Sequence, residues 1–392
     1  MSWRVLPKIP GCVGWEGCGV EVAIGAEPED FRVCEIHVSG EDACSAKPSE
    51  RVGNLAFGVI RKRGITTLDA VRKLARSLRC SSHEIHVGGL KDRHAVTSQF
   101  ATLPGHATDI DLGDVAFTRL SKRFTPYSAK EVWGNWFRIR IRADPGVKKA
   151  ADMAFDFSSQ PIPSYYGHQR FGSLVQDTHL VGLAILRRDY HQAVETILSG
   201  PSGWYENDLA ENLRRGMDEP SALGAVDRRL LRLFVNSYQS YVFNRMLSAL
   251  IREHGSVEKI PFRYVGVADR YGVLSKASPA SAVANLQHKI IHRQAYPLLE
   301  LPGSRVHSDS PCIALIAEDG LSREHFEKTL AGEFHGGYRQ MFFYVQGLQT
   351  TASEVSEASE ASATLSFALT KGMYATVAAS AFVASARRMH SG

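Results

Sequence analysis

Asp92 lies in the run Gly89-Leu90-Lys91-Asp92-Arg93-His94-Ala95-Val96-Thr97-Ser98-Gln99, where a carboxylate follows a glycine-loosened stretch. Beyond it Ala95, Thr97 and Gln99 recur at every second residue, which puts three side chains on one face of an extended strand. Two of them can hydrogen-bond, and Ala95 is small enough to let another group approach. An acid at the mouth of such a face can act on a polar substrate as nucleophile or base. A second patterned stretch runs from Trp133 to Arg142. Its odd positions carry Asn135, Phe137, Ile139 and Ile141, and its even positions Trp136, Arg138, Arg140 and Arg142. One face is therefore apolar with an amide at its start. The other is a stripe of cations, suited to phosphates or to a solvated face crossed by carboxylates.

The elements that must position these groups follow from periodicity. Phe31 to Ile36 and Leu55 to Arg61 read as strands. Thr66 with Asp69 forms a capping pair for a helix over 67–78, whose stripe Leu68, Val71, Leu74, Ala75 and Leu78 should pack on a sheet. A strand leading into Asp92 completes an α/β unit, and 115–120 adds another short strand. From about 173 to 316 the pattern changes to helices and long loops, the strongest helix covering 227–253. Strand patterning returns at 339–345 and 365–369, and a last helix covers 375–389. Between them, Thr350 to Thr364 is a Ser/Ala/Glu-rich stretch expected to be a solvated loop. The expected organisation is residues 1–172 and 317–392 as two parts of one domain, with 173–316 inserted.

The length of 392 residues suits two cores better than one. A net charge of +5 permits an acidic partner without demanding one. The six cysteines form no CxxC pair, so free thiols in a reducing compartment are expected, with no metal site. No signal peptide or run of 18 apolar residues is found, and a soluble cytoplasmic protein without membrane contact is expected.

The Asp92 stretch matches the signature G-x-K-D-x-x-A-x-T-x-Q of the TruD family of pseudouridine synthases at all six fixed positions. At roughly one in twenty per position, a chance match in such a chain is on the order of one in 10^5. Other segments resemble the family's motifs in the family's order. These are Pro28-Glu29-Asp30-Phe31-Arg32-Val33-Cys34-Glu35, Asn135-Trp136-Phe137, Tyr165-Tyr166-Gly167-His168-Gln169-Arg170-Phe171-Gly172 and Gly372-Met373-Tyr374-Ala375-Thr376. The hinge form Tyr-Tyr-Gly-His-Gln-Arg-Phe-Gly is similar to archaeal and eukaryotic members, and a eukaryotic source would allow a nuclear location.

The resemblance implies an α/β (α+β) pseudouridine-synthase fold with a mixed, mostly antiparallel sheet and a helix-rich inserted TRUD domain. It implies isomerisation of uridine to pseudouridine in tRNA, at the D-arm uridine numbered 13, by an aspartate acting on a flipped base. By the family's pattern Asp92 is the nucleophile, and Phe137 stacks on the uracil or belongs to the core with Ile139 and Ile141. Asn135 and Gln99 are expected to bind around it. Lys91 is expected to meet Asp92, an RNA phosphate or the sheet's other side, and Lys62 to be a second cation at the site or a solvated turn lysine. Gln169 and Arg170 mark the domain cleft, as ligands or as pins of the junction. The reaction needs neither metal nor organic cofactor, and the protein is expected to be monomeric. The chain departs from the family at Ser164, usually Asn, and at Gly25, where a lysine usually lies; Lys62 or Arg61 is then expected to supply the charge. These departures leave a catalytically silent tRNA-binding module or RNA chaperone as the alternative.

Overall fold

The computed structural model describes residues 2–152, 157–172, 176–200, 204–269, 274, 277–353 and 361–391. Its centre is an 11-stranded sheet. The strands that matter here are β1 (Trp3–Val5), β2 (Ala23–Gly25), β3 (Phe31–His37), β4 (Leu55–Arg63), β5 (His86–Val87), β6 (Val96–Pro104), β7 (Ile110–Asp111), β8 (Val115–Arg123) and β9 (Val132–Arg142). The long path runs β9-β3-β6-β4-β8-β7, and β1 and β2 continue the edge of β9 beyond β3. On its other edge β9 pairs with Ser362–Thr370, which pairs in turn with Gln346–Ser353. The β3–β6 pair is parallel and the other described pairs are antiparallel, giving the mixed, mostly antiparallel sheet.

Alternation along each strand sorts its side chains, and register decides which of them meet. Val33 lies opposite both Thr97 and Phe137, Glu35 opposite Asn135, and Lys62 opposite Thr97. One face of the sheet thus collects the residues picked out by period two. The helix Thr67–Leu78 begins at Thr66, whose hydroxyl accepts from the Asp69 amide at 3.1 Å. It buries Ala70, Val71, Leu74 and Ala75 against Ile60, Ala101 and Phe117. Leu68, expected in that stripe, is 46% exposed and lines a cleft instead. The helix rotates about 100° per residue, so Thr67 and Ala70 occupy the inner face in its place.

The long helix Arg228–His254 is buried on several sides, and its polar residues Ser240, Asn244 and Ser248 are tying points. Asn244 accepts from the Tyr166 amide at 2.9 Å and donates to the carbonyls of Tyr166 and Pro10. Ser248 donates to the Gly11 carbonyl and meets the Tyr165 hydroxyl at 3.0 Å. The described helices include none long and apolar enough to cross a membrane.

Two expectations need correction. Cys12 is bonded to Cys18 and Cys34 to Cys44, leaving Cys80 and Cys312 as free thiols. Chain spacing could not show this, because a turn after β3 carries Cys44 back over the sheet. Cys34, Asp42 and Cys44 cluster within 4.8 Å, but two bonded sulfurs are not thiolate ligands. The expected strand at 339–345 forms in two pieces, both outside the central sheet. Gly337–Gln340 pairs with Ala295–Leu301, and Phe342–Phe343 pairs with Ile162–Pro163. A continuous apolar run carries no alternation to orient it, so only tertiary pairing assigns its partner. The ends of the Ser/Ala/Glu stretch are strand rather than loop, pairing Thr350 with Leu365 and Ser353 with Ser362. Its centre, 354–360, lies outside the described residues.

Candidate active site

Between β5 and β6 the chain leaves the pleat for an irregular loop, 88–95, which carries Asp92. Close packing fixes this loop. A Cβ at Gly88 would lie 2.3 Å from Val132 Cγ2, so only glycine lets the loop pass there. Gln99, fully buried, donates to the Gly89 carbonyl at 2.9 Å and accepts from the Thr67 hydroxyl at 3.3 Å. That hydroxyl accepts from the Lys91 amide at 2.9 Å. Gln99 was expected to bind substrate. Both ends of its amide are instead spent on the loop, so it is a positioning residue.

Lys62 is also placed otherwise than a turn lysine would be. It is 1% exposed, and its ammonium donates to the carbonyls of Asp92 at 2.6 Å and Ile65 at 2.9 Å. Burial lowers its pKa to about 8, against the pull of the Asp92 charge. Lys91 reaches the front face because the loop has left the strand's alternation. Its ammonium pairs with Glu35 at 2.5 Å and donates to Asn135 Oδ1 at 2.7 Å. Glu35, fully buried, also accepts from the Phe100 amide at 3.2 Å and the Tyr127 hydroxyl at 3.0 Å. Sequence reading missed Glu35 as a site residue, although it alternates with Phe31 and Val33 toward the same face.

Burial pushes the Asp92 carboxyl above the usual carboxylate range, while Lys62, Lys91 and Arg4 pull it back. Asp92 is only half-buried by residue surface, but the carboxyl itself is enclosed, and desolvation is therefore the larger effect. Arg4 is the cation that sequence analysis did not find. Strand β1 lies against β2 with Arg4 opposite Ile24, and the Arg4 Nε is buried with no hydrogen-bond partner among the described residues. At Gly25, where the family usually has lysine, a Cβ would lie 2.0 Å from Asp30 Oδ2. Asp30 in turn pairs with Arg140 at 2.9 Å. Position 25 is thus closed to a side chain, and the charge comes from the neighbouring strand. Arg61, the other candidate source, points to the opposite face of the sheet, beside Arg32 and Arg138. Arg4→Met should shift the acid limb of the pH–rate profile upward and slow single turnover at neutral pH by about tenfold. An unchanged limb would remove Arg4 from the site.

Phe137 is 5% exposed and packs edge-on against Phe31 with ring centres 6.2 Å apart, and against Phe367 at 5.7 Å. It belongs to the core floor beneath the site and presents little free ring face. Gln169 accepts from the Thr376 hydroxyl at 3.1 Å, and Arg170 donates to Ser240 at 3.0 Å. Both pin the junction to the long helix and the C-terminal helix Ala375–Ser391. Ser164 lies with its hydroxyl 3.6 Å from the Met373 sulfur. The 88–90 end of the loop opens on a cleft of about 970 Å³, walled by Leu68, Tyr127, Arg229, Leu230 and Leu233.

Residues 12–204 and 201–382 match the family described as tRNA pseudouridine synthase D (TruD). The chain is 30% identical over 257 residues to the probable tRNA pseudouridine synthase D of Pyrobaculum aerophilum, an alignment covering 57% of this chain and 62% of that protein. With the Archaeoglobus fulgidus protein of the same name identity is 27%, over 92% of this chain and 94% of the other. The crystal structure described as the putative tRNA pseudouridine synthase D (TruD) from Methanosarcina mazei superposes with a TM-score of 0.62 at 23% identity, covering 96% of this chain and 93% of that one, and shows the same fold. With the motif aspartate enclosed by three cations on a glutamine-braced loop, and the family match running through both halves of the sheet, the chain belongs to the TruD family.

Proposed function

We propose that this protein isomerises uridine to pseudouridine in tRNA, at uridine 13 of the D-arm. The observation that carries the reading is the enclosure of Asp92 by Lys62, Lys91 and Arg4, on a loop whose 88–90 end opens on the cleft. These cations favour the ionised carboxylate that the chemistry needs. In one route the carboxylate attacks C1′ as the N1–C1′ bond breaks and uracil leaves as the anion. The base then turns, its C5 displaces the carboxylate from C1′, C5 loses its proton and N1 gains one. In the other route Asp92 removes the C2′ proton as the N1–C1′ bond breaks, leaving a C1′–C2′ double bond, and returns that proton to C2′ when C5 bonds to C1′. Both start from ionised Asp92. The target uridine leaves its stack to reach the loop. Residues 1–172 and 317–392 contribute the catalytic unit and 173–316 the insert that completes the cleft, with 337–340 paired to the insert's strand Ala295–Leu301.

The test is single turnover on a D-arm-containing tRNA transcript, with pseudouridine mapped by carbodiimide adducts. Modification at position 13 supports the reading. Tight tRNA binding with no pseudouridine at any site would replace it with the silent binding module.

The rate rises with pH as Asp92 ionises, with its limb above the ordinary carboxylate range. It falls past pH of about 8, where Lys62 loses the proton that holds the anion. Lys62→Met should remove the alkaline limb and move the acid limb up. A variant profile that retains the limb near 8 would exclude Lys62 as its source.

A further inference from the structure

The cation stripe of β9 is divided by its partners. Arg140 pairs with Asp30 at 2.9 Å and Arg142 with Glu21 at 2.8 Å. Nearby on β4, Arg63 pairs with Glu29 through both carboxylate oxygens. Arg138 has no such partner, and across the β3–β9 ladder it lies directly opposite Arg32. Among the described residues Arg32 donates only to the Glu29 carbonyl, at 3.3 Å. Arg61 on β4, opposite Ser98, is the third exposed arginine of the group. None of the three makes an ion pair with a carboxylate among the described residues, though each neighbouring arginine on this face does.

The three line one depression of about 470 Å³, together with the indole of Trp136 and the hydroxyls of Ser98 and Thr118. One wall is the loop that the Cys34–Cys44 bond ties down onto the sheet. The depression lies on the face opposite Asp92, because Arg32 alternates with Val33, and Val33 faces Thr97 and Phe137. Like charges directly opposite on paired strands destabilise a sheet, and an anion bound between them offsets that cost.

We infer that this groove on the back of the sheet is a second nucleic-acid site, which takes the phosphodiester backbone of single-stranded RNA. Strands lie roughly 4.8 Å apart, so Arg138 and Arg32 share one phosphate and Arg61, two strands beyond β3, reaches another roughly 10 Å away. That spread exceeds a single phosphate and fits consecutive ones. Trp136, two residues from Arg138 on β9 and opposite Cys34, gives an unstacked base a surface to lie on at the β9 end of the groove, which a duplex could not use. The inference rests on the proposed function only in taking RNA as the partner, and its test needs no uridine.

The experiment is fluorescence anisotropy of a labelled single-stranded oligoadenylate across a range of potassium chloride concentrations. Arg61→Ala with Arg138→Ala should weaken binding about tenfold or more at low salt and flatten the log–log salt slope by at least about 0.7, for the phosphate that Arg61 alone holds, while Arg32 stays on the other. The paired lysine variants should restore the slope. Trp136→Ala should weaken binding about tenfold and leave the slope unchanged. Arg214→Ala with Arg215→Ala, which removes equal charge from a distant helix, should leave it unchanged as well. An unaltered slope in the Arg61/Arg138 variant, or no oligoadenylate binding by the wild type, overturns the site. Displacement of the oligonucleotide by inorganic phosphate at matched ionic strength, with no effect of Trp136→Ala, would make it a small-anion site instead. A failure of isomerisation with the slope effect intact would count against the proposed reaction and leave this site standing.

Discussion

Asp92→Asn should lower the single-turnover rate of pseudouridine formation by on the order of 10^4 while tRNA binding changes little. The amide is nearly the same shape, and the loop that carries it is held by other groups: Gln99 on Gly89, Thr67 on the Lys91 amide, and Lys62 on the Asp92 carbonyl. Geometry should therefore survive the substitution. An amide cannot act as a nucleophile at C1′ or as a base at C2′, so either route stops at its first step. Three cations, Lys62, Lys91 and Arg4, then face a neutral group. Without the carboxylate, burial of Lys62 meets less opposition and its pKa should fall further. The measurement is the rate constant with enzyme in excess, beside a separate binding isotherm. A variant within tenfold of the wild-type rate would exclude Asp92 from the chemistry. Equal loss of binding and rate would point to a misplaced loop.

Glu35→Leu should cost about 3–5 kcal/mol of folding stability, among the largest effects expected of one substitution in this chain. Glu35 is fully buried, and the side chain of its partner Lys91 is only 7% exposed. Removing the carboxylate leaves a buried ammonium with Asn135 as its remaining named acceptor. The Phe100 amide and the Tyr127 hydroxyl lose their acceptor at the same time. Burial and the Glu35 charge together hold that phenol protonated. Glu35→Gln keeps an acceptor for both and loses only the charge, so its cost should be smaller. In a double-mutant cycle, adding Lys91→Met to Glu35→Leu should recover much of the loss, because the unpaired charge is then gone. Urea midpoints at constant slope give the values. If Glu35→Leu is no less stable than Glu35→Gln, or if Lys91→Met adds its full cost on top, the buried pair is not what holds this region.

The same pair shows where sequence reading succeeds and where it stops. Period-two alternation correctly placed Thr97 and Gln99 on one face of β6, and Asn135 and Phe137 on one face of β9. The Thr66 cap and the long helix ending at His254 were equally readable, because capping and the 3.6-residue period are local properties. The motif around Asp92 is legible for a similar reason, since one short loop, 88–95, carries it.

What only the tertiary structure decided is which faces meet. Glu35 is 56 positions from Lys91 in the chain, and the register of three strands brings them within 2.5 Å. Gln99 lies on the expected face but beneath the loop, so its amide braces Gly89 rather than facing the cleft. Arg4 reaches the site because β1 extends the sheet edge beside β2, and Arg140 is neutralised by Asp30, 110 residues away, while Arg138 is not. Local sequence determined the direction of each side chain from its own backbone, because pleat and helical turn are set within a few residues. Charge pairing, enclosure and the shift in the Asp92 pKa depend on distances across the sheet, and those are set by long-range register and packing.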